Sequence, residues 1–118
     1  MAKTRVAVEF GMGTSIRKQD YTGAAIRGLK DALWHNSLSI AEAFGFKKEA
    51  MLVDVEIAVQ QPMSVDLTKL EEILPYGQST FKVTKGGLDI IKPDGKGVTV
   101  VANVAVIVSF NMERANDQ

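Results

Sequence analysis

Apolar and polar residues alternate in three long segments of the chain, and this two-residue period predicts β-strands. The segments are residues 3–10, 51–60 and 98–110. Two shorter strands are predicted at residues 79–84 and 88–92, which are separated by the glycine pair at 86–87 and followed by a Pro-Asp-Gly turn. The segment 98–110 gives the strongest signal, because every second residue in it is apolar.

Between the strands, the apolar period changes to that of a helix. Residues 20–34 begin with Asp20, a favourable helix cap, and carry their apolar side chains on one stripe. A second helix is predicted at residues 66–74, ahead of Pro75, and a short helical turn at residues 39–44. The order β-α-β-α-β-β-β predicts an α+β two-layer sandwich, in which a mostly antiparallel sheet carries two main helices on one face.

The other face of this sheet has no predicted helix to cover it. A straight strand at residues 98–110 spans roughly 43 Å, more than the diameter of about 35 Å of a compact domain this long. Its second row of side chains is also too apolar for solvent: Thr99, Val101, Asn103, Ala105, Ile107 and Ser109. Monomers rarely expose such a patch. We therefore expect a homo-oligomer that packs sheet face against sheet face; the alternative is a barrel-like curl within one chain.

Composition limits the classes of function. The 118 residues carry 14 basic and 14 acidic side chains, and 46% are hydrophobic, which predicts one folded domain over residues 1–118. Balanced charge argues against a nucleic-acid partner. The chain has no cysteine and one histidine, His35, so we expect no metal centre and no cofactor. We interpret His35 as a favourable cation at a helix end, and the alternative is a catalytic base. Without a signal-like start or a membrane-length apolar stretch, we expect a cytoplasmic protein with no membrane partner.

The segment from Gly11 to Gln19, predicted to be the loop between the first strand and the first helix, is the main candidate site. Glycines permit close approach of a ligand, hydroxyl groups donate hydrogen bonds, and Arg17 can bind a carboxylate or phosphate beside a helix N-terminus. The segment matches neither the Walker A loop nor the dinucleotide fingerprint. The predicted ligand-binding residues here are Gly11, Gly13, Thr14, Ser15 and Arg17. The alternative is a polar connection in which glycine serves the turn.

Two carboxylates are a second candidate. Asp54 and Glu56 lie on one face of the strand at residues 51–60, about 7 Å apart along it. Paired carboxylates serve acid–base or metal chemistry, although charges on a solvated strand face are commoner. We expect them to form the second wall of a site for a small polar or anionic molecule between subunits, with Asn103 as a polar neighbour on the same face.

Three segments resemble a family of small bacterial conserved hypothetical proteins. They are Val-Glu-Phe-Gly-Met-Gly at residues 8–13, Asp-Tyr-Thr-Gly-Ala-Ala at residues 20–25 and Val-Asp-Val-Glu-Ile at residues 53–57. The resemblance covers nearly the whole chain and implies no assigned activity.

The architecture also resembles one repeat of the ring-opening cyanuric acid hydrolases and barbiturases, which join three similar units around a pseudo-threefold axis. Those units are in turn similar to the trimeric YjgF-type proteins, whose ligand sites lie between subunits. This likeness implies a trimer or a multiple of three. It also implies a Ser/Lys pair, for which Ser79 with Lys85 or Ser15 with Lys30 are the candidates. The glycine-rich motifs around such pairs are not matched, so the sequence leaves open whether the protein is an enzyme.

Three hypotheses follow from these observations. The first is a homo-oligomer that binds a small polar or anionic molecule between its subunits. The second is a hydrolase that opens a cyclic amide by serine attack, with a lysine accepting the proton. The third is a structural or interaction module that presents the apolar sheet face to another protein.

Overall fold

A computed structural model of the protein describes residues 2–33, 39–74 and 77–112. These residues form a five-stranded sheet with helices on one face, which confirms the predicted α+β two-layer sandwich. The strands are β1 (Ala2–Ser15), β2 (Leu52–Val59), β3 (Gln78–Lys85), β4 (Leu88–Ile91) and β5 (Val98–Met112). The helices are α1 (Tyr21–Leu33), α2 (Ile40–Ala43) and α3 (Leu67–Glu71), with 3₁₀ turns at Lys48–Ala50 and Pro62–Ser64.

The strand order is β1-β5-β2-β3, and β4 pairs with β5 beyond the end of β2. All pairings with β5 are antiparallel, whereas β2 and β3 are parallel and are joined through α3. The mostly antiparallel sheet was therefore predicted correctly. The final strand is as long as its pattern predicts, and it spans 15 residues at the centre of the sheet.

The core lies between the sheet and α1. Alternate residues of β2 and β5 face the helix layer and are almost completely buried: Val53, Val55, Ile57, Val59, Val100, Ala102, Val104, Val106 and Val108. From α1, Ala24, Ala25, Leu29 and Ala32 pack against this row. At the far end of β5, Phe46 stacks on Phe110 with ring centroids 4.6 Å apart. The sheet residues of the core thus all come from the face that is turned toward the helices.

The helix α1 begins where the sequence predicts. The Asp20 carboxylate accepts a hydrogen bond of 2.9 Å from the Gly23 backbone N–H, and the Asp20 carbonyl accepts one of 3.0 Å from the Ala24 N–H. This is the N-cap arrangement, which satisfies N–H groups that have no partner inside the helix. A negative charge therefore already occupies the start of α1.

The predicted loop at residues 11–15 is wrong, because β1 continues through it to Ser15. Gly11 and Gly13 pair with Val104 and Ala102 of β5. On the other side, the backbone of α1 lies directly on them: a Cβ atom on Gly13 would be 2.0 Å from the Ala24 carbonyl oxygen. Glycine is needed here for close packing of a helix on a strand, and the connection to α1 is only residues 16–20.

The helix α3 is shorter than the predicted residues 66–74. Asp66 caps it, accepting a hydrogen bond of 3.0 Å from the Thr68 N–H. The last residues leave the α-helical pattern, since the Ile73 N–H donates to the Leu70 carbonyl, three residues earlier in the chain. Within the described ranges, no helix has the length and apolar character needed to cross a membrane.

Candidate functional site

We call the sheet face that points away from the helices the open face. Register places Phe10 and Met12 of β1 opposite Ala105 and Asn103 of β5 on this face, and Leu88 and Ile90 of β4 lie on the same side because they pair with Val101 and Thr99. Large apolar side chains on the open face are exposed to solvent: Phe10 (70%), Met12 (58%), Leu88 (58%) and Ile90 (52%). The sheet is open, so the alternative of a barrel-like curl is wrong.

A concavity of about 380 Å³ lies on the open face where β1, β5, β2 and β3 run side by side. Its floor contains Ala58 and Ala105, and its rim carries polar and aromatic side chains: Phe10, Glu56, Thr84 and Asn103. A concavity of this size is in the range of small-molecule sites in proteins. Glu56 and Asn103 were predicted as candidate site residues, whereas Phe10 and Thr84 were not.

Asp54 lies on the open face and is already paired. Its carboxylate accepts a hydrogen bond from the Lys3 ammonium at 2.7 Å and another from the Thr80 hydroxyl at 2.5 Å. The bond from Lys3 and then the bond from Thr80 hold the pKa of Asp54 below its ordinary value. The two predicted carboxylates therefore differ: Asp54 is held by neighbours, whereas Glu56 is exposed and makes no hydrogen bond to another described residue.

A second concavity, of about 490 Å³, surrounds the connection between β1 and α1. Three of its lining residues are cationic, Arg17, Lys18 and Arg27, and Asp20 is the carboxylate among them. The other lining residues are Thr14, Ser15 and Ile16. Arg27 donates a hydrogen bond of 2.6 Å to the Thr14 carbonyl, which fixes it against the strand. The Ser15 hydroxyl, almost fully buried, accepts a hydrogen bond of 3.0 Å from the Asp20 N–H. Arg17 and Lys18 are exposed.

The turn after β4 bounds the same region from the other side. Lys92 donates a hydrogen bond of 3.2 Å to the Arg17 carbonyl. A third concavity, of about 410 Å³, has Ile16, Arg17, Lys92 and Asp94 in its lining, so Arg17 borders two depressions. Of the residues predicted here, the structure brings together Thr14, Ser15 and Arg17. Gly11 and Gly13 lie under α1 instead, although Gly11 also borders the concavity of the open face.

The cationic connection and the carboxylates do not meet within one chain. Ser15 pairs with Val100 of β5, whereas Glu56 pairs with Ala105, five residues further along the same strand. At 3.4 Å per residue, this is a separation of about 17 Å. The cationic connection and Glu56 therefore border separate concavities of one chain.

Neither Ser/Lys candidate forms a catalytic pair. Ser79 and Lys85 lie six residues apart on β3, or about 20 Å. The Ser15 hydroxyl already accepts a hydrogen bond from the backbone, and Lys30 is a solvent-exposed residue of α1. Nucleophilic catalysis requires the hydroxyl and its base within hydrogen-bond distance, so the geometry gives no support to a hydrolase.

A family model described as "Conserved hypothetical protein (Lin0512_fam)" matches residues 5–108. The chain belongs to this family. Its structure is also similar to a crystal structure described as an FtsZ-like protein of unknown function from Nostoc punctiforme PCC 73102. The two sequences are 31% identical, the match covers 93% of this chain and 98% of that chain, and the TM-score is 0.81. No curated protein matches the chain. The resemblance to a family of conserved hypothetical proteins is therefore confirmed.

One polar pair of this Lin0512 family member was missed by the sequence analysis. The Tyr21 hydroxyl donates to Asp89 of β4, on the helix side of the sheet. The sequence feature that could have revealed this pair is the charged residue Asp89 inside the apolar segment Leu88-Asp89-Ile90-Ile91. A charged residue in such a segment indicates a polar partner beneath the strand. His35, the other predicted special residue, lies outside the described residues. Among the residues that the structure describes, no cluster of metal-ligating side chains is found.

Proposed function

We propose that this Lin0512 family member is a homo-oligomer that holds a small polar or anionic molecule between its subunits. The observation that carries the proposal is the open face, with Phe10, Met12, Leu88 and Ile90 exposed. Contiguous exposed apolar surface of this kind marks interaction sites. A second copy of the chain is the proposed occupant, and three subunits or a multiple of three are proposed from the likeness to YjgF-type trimers.

Positive charge at the start of α1 supports the proposed binding of an anionic ligand. Arg17 and Lys18 border the concavity at the start of α1, and their exposed side chains provide two positive charges there. Guanidinium groups bind carboxylates and phosphates in a fork geometry. Because Ser15 and Glu56 lie about 17 Å apart along β5, the anion is proposed to lie at the Arg17 connection, away from the Glu56 carboxylate.

The partner classes in the proposal follow from the balanced charge of 14 basic and 14 acidic residues. A nucleic-acid partner is not proposed, because such domains carry a basic surface. A membrane partner is not proposed either. The proposed location is the cytoplasm, in keeping with a chain that has no cysteine.

Sedimentation velocity tests the assembly. The wild-type protein at tens of micromolar is expected to sediment as an oligomer, and Phe10→Lys is expected to shift it to a monomer while circular dichroism stays unchanged. Ile91→Lys is the matched control, since Ile91 is 73% exposed but pairs with Val98, on the helix side of the sheet. A monomeric wild-type protein would contradict the proposal.

A second candidate function is an interaction module whose open face binds a different protein. The same exposed side chains favour it, because an apolar patch does not depend on the identity of its partner. A monomeric wild-type protein whose open face becomes protected from hydrogen exchange only in the presence of a partner protein would support this candidate. An oligomer that protects the face by itself would argue against it.

A further inference from the structure

The concavity on the open face owes its shape to two small residues in neighbouring rows of the sheet. In the first row, Ala105 of β5 lies between Phe10 of β1 and Glu56 of β2, since both pair with it. In the next row, Ala58 of β2 lies between Asn103 and Thr84. Alanine side chains between longer neighbours leave a depression, and its walls are about 9.6 Å apart, two strand spacings.

The polar groups around this depression have unused hydrogen-bonding capacity. Glu56, Thr84 and Asn103 are all exposed, and none of their side chains makes a hydrogen bond to another residue that the structure describes. Asp54 lies one row away on the same face, and there Lys3 and Thr80 each donate a hydrogen bond to one oxygen of the carboxylate. The contrast between the two carboxylates identifies Glu56 as the acceptor that is available to a ligand.

The chemistry of the walls defines what the depression can hold. The exposed ring of Phe10 offers a flat apolar surface, on which a second aromatic ring stacks favourably. Opposite it, the Glu56 carboxylate accepts hydrogen bonds from N–H donors. Lys82, its register partner on β3, makes no ion pair with it. The Asn103 amide can donate and accept, so it can satisfy one further polar atom of the ligand.

We propose that this concavity binds a planar aromatic molecule that carries an amino or amidinium group. The ring stacks on Phe10 over the alanine floor, and its N–H groups donate to the Glu56 carboxylate. The inference goes beyond the proposed function, because it concerns a different concavity from the one beside Arg17 and a ligand of opposite charge. In an assembly that covers the open face, this molecule lies between two copies.

Titration of ¹⁵N-labelled protein with benzamidine tests the proposal, with benzoate as the same ring bearing the opposite charge. Benzamidine is expected to cause saturable shifts of the backbone amides of Ala58, Asn103 and Ala105, and benzoate is expected to cause none there. Glu56→Gln is expected to weaken benzamidine binding by about tenfold or more, as loss of a charge-assisted hydrogen bond implies. Asn103→Ala is expected to weaken it less.

Glu71→Gln is the matched control, because it removes one carboxylate from an exposed position on α3, in the other layer. It is expected to leave benzamidine binding unchanged. Absence of saturable shifts at millimolar benzamidine, or equal binding by wild type and Glu56→Gln, would overturn the proposal. Sedimentation of the same samples separates the two proposals: a monomer that binds benzamidine contradicts only the assembly, and an oligomer that does not bind it contradicts only this site.

Discussion

The phenol of Tyr21, the first residue of α1, donates a 2.5 Å hydrogen bond to the Asp89 carboxylate of β4. Tyr21 is only 5% exposed, and the second oxygen of Asp89 is buried without a hydrogen-bond partner among the described residues. Nearby, the Val98 N–H donates to the Gln19 side chain. These bonds fasten the hairpin of β4 and β5 to the start of α1, so the concavities on either side of Arg17 depend on them.

The Tyr21 bond predicts a loss of stability in alkali. Burial, and then the hydrogen bond and charge of Asp89, raise the pKa of Tyr21 from 10.0 to about 12. Because the folded pKa lies above the unfolded one, the neutral phenol contributes its full stabilisation below pH 10, and this contribution disappears as the pH rises through 12. The free energy of unfolding, measured by urea denaturation, is expected to fall between these two values.

Tyr21→Phe isolates this contribution. At neutral pH, the variant is expected to be less stable by about 1–3 kcal/mol, because the Asp89 carboxylate loses its donor beneath the sheet. Its stability is also expected to fall less steeply than that of the wild type above pH 10. Equal slopes for the two proteins in this interval would show that Tyr21 does not titrate as its surroundings imply.

Gly13 is predicted to tolerate no larger residue. A Cβ atom there would lie 2.0 Å from the Ala24 carbonyl oxygen and 2.3 Å from the Gly28 nitrogen, both backbone atoms of α1. Gly13→Ala must push the helix away from β1, and we expect it to cost about 3 kcal/mol or more in chemical denaturation.

The control for Gly13 is Gly45→Ala. Gly45 has a φ of +74°, but beyond its two chain neighbours no atom of the described residues lies within 4 Å of its Cβ position. This change therefore costs only backbone strain, about 1–2 kcal/mol. If the two alanine variants were equally stable, close helix packing would not be the reason for glycine at position 13.

The ion pair between Lys3 and Asp54 predicts a small loss of stability in acid. Its carboxylate has a folded pKa below the unfolded value of 3.8, so its contribution is present above that value and lost as the pH falls through the folded pKa. Lys3 is 52% exposed, and the pair is therefore worth less than about 1 kcal/mol at neutral pH. In Lys3→Gln, an NMR titration is expected to show the Asp54 pKa rising. An unchanged pKa would show that Lys3 does not hold the carboxylate.

The strands, the main helix and the uncovered face were predictable because each depends on local periodicity. The end of β1 was not predicted, although Phe10, Met12 and Thr14 continue the alternation of that strand. Their neighbours Gly11 and Gly13 favour a turn in isolation, and only the contact with α1 explains them. The parallel pairing of β2 with β3 depends on contacts between residues that are distant in sequence, and no local sequence pattern indicates such contacts.

The candidate sites were also predictable only where they depend on local alternation. Alternation alone placed Glu56 and Asn103 on the uncovered face, because side chains on a strand alternate between its two faces. The state of each carboxylate was not predictable, since it is decided by Lys3 and Thr80 reaching Asp54 and not Glu56. The distance between Ser15 and Glu56 was likewise set by strand register, which the sequence pattern does not specify.

Arg17 carries the prediction for the anion site. The Asp20 carboxylate accepts a hydrogen bond from the Gly23 N–H at the start of α1 and repels an anion there, so exposed Arg17 must provide the attraction. A bound ligand raises the melting temperature by mass action. In a panel of phosphate and carboxylate ligands, those that stabilise the wild type are expected to lose most of that effect in Arg17→Ala.

Two controls make the Arg17 result specific. Lys47→Ala removes an exposed positive charge from the turn before β2 and is expected to keep the anion effect. Sodium chloride at matched ionic strength separates binding from general screening of charge. Equal anion-dependent stabilisation of wild type and Arg17→Ala would contradict a site at this connection, and it would leave the concavity beside Glu56 as the candidate ligand site on the sheet.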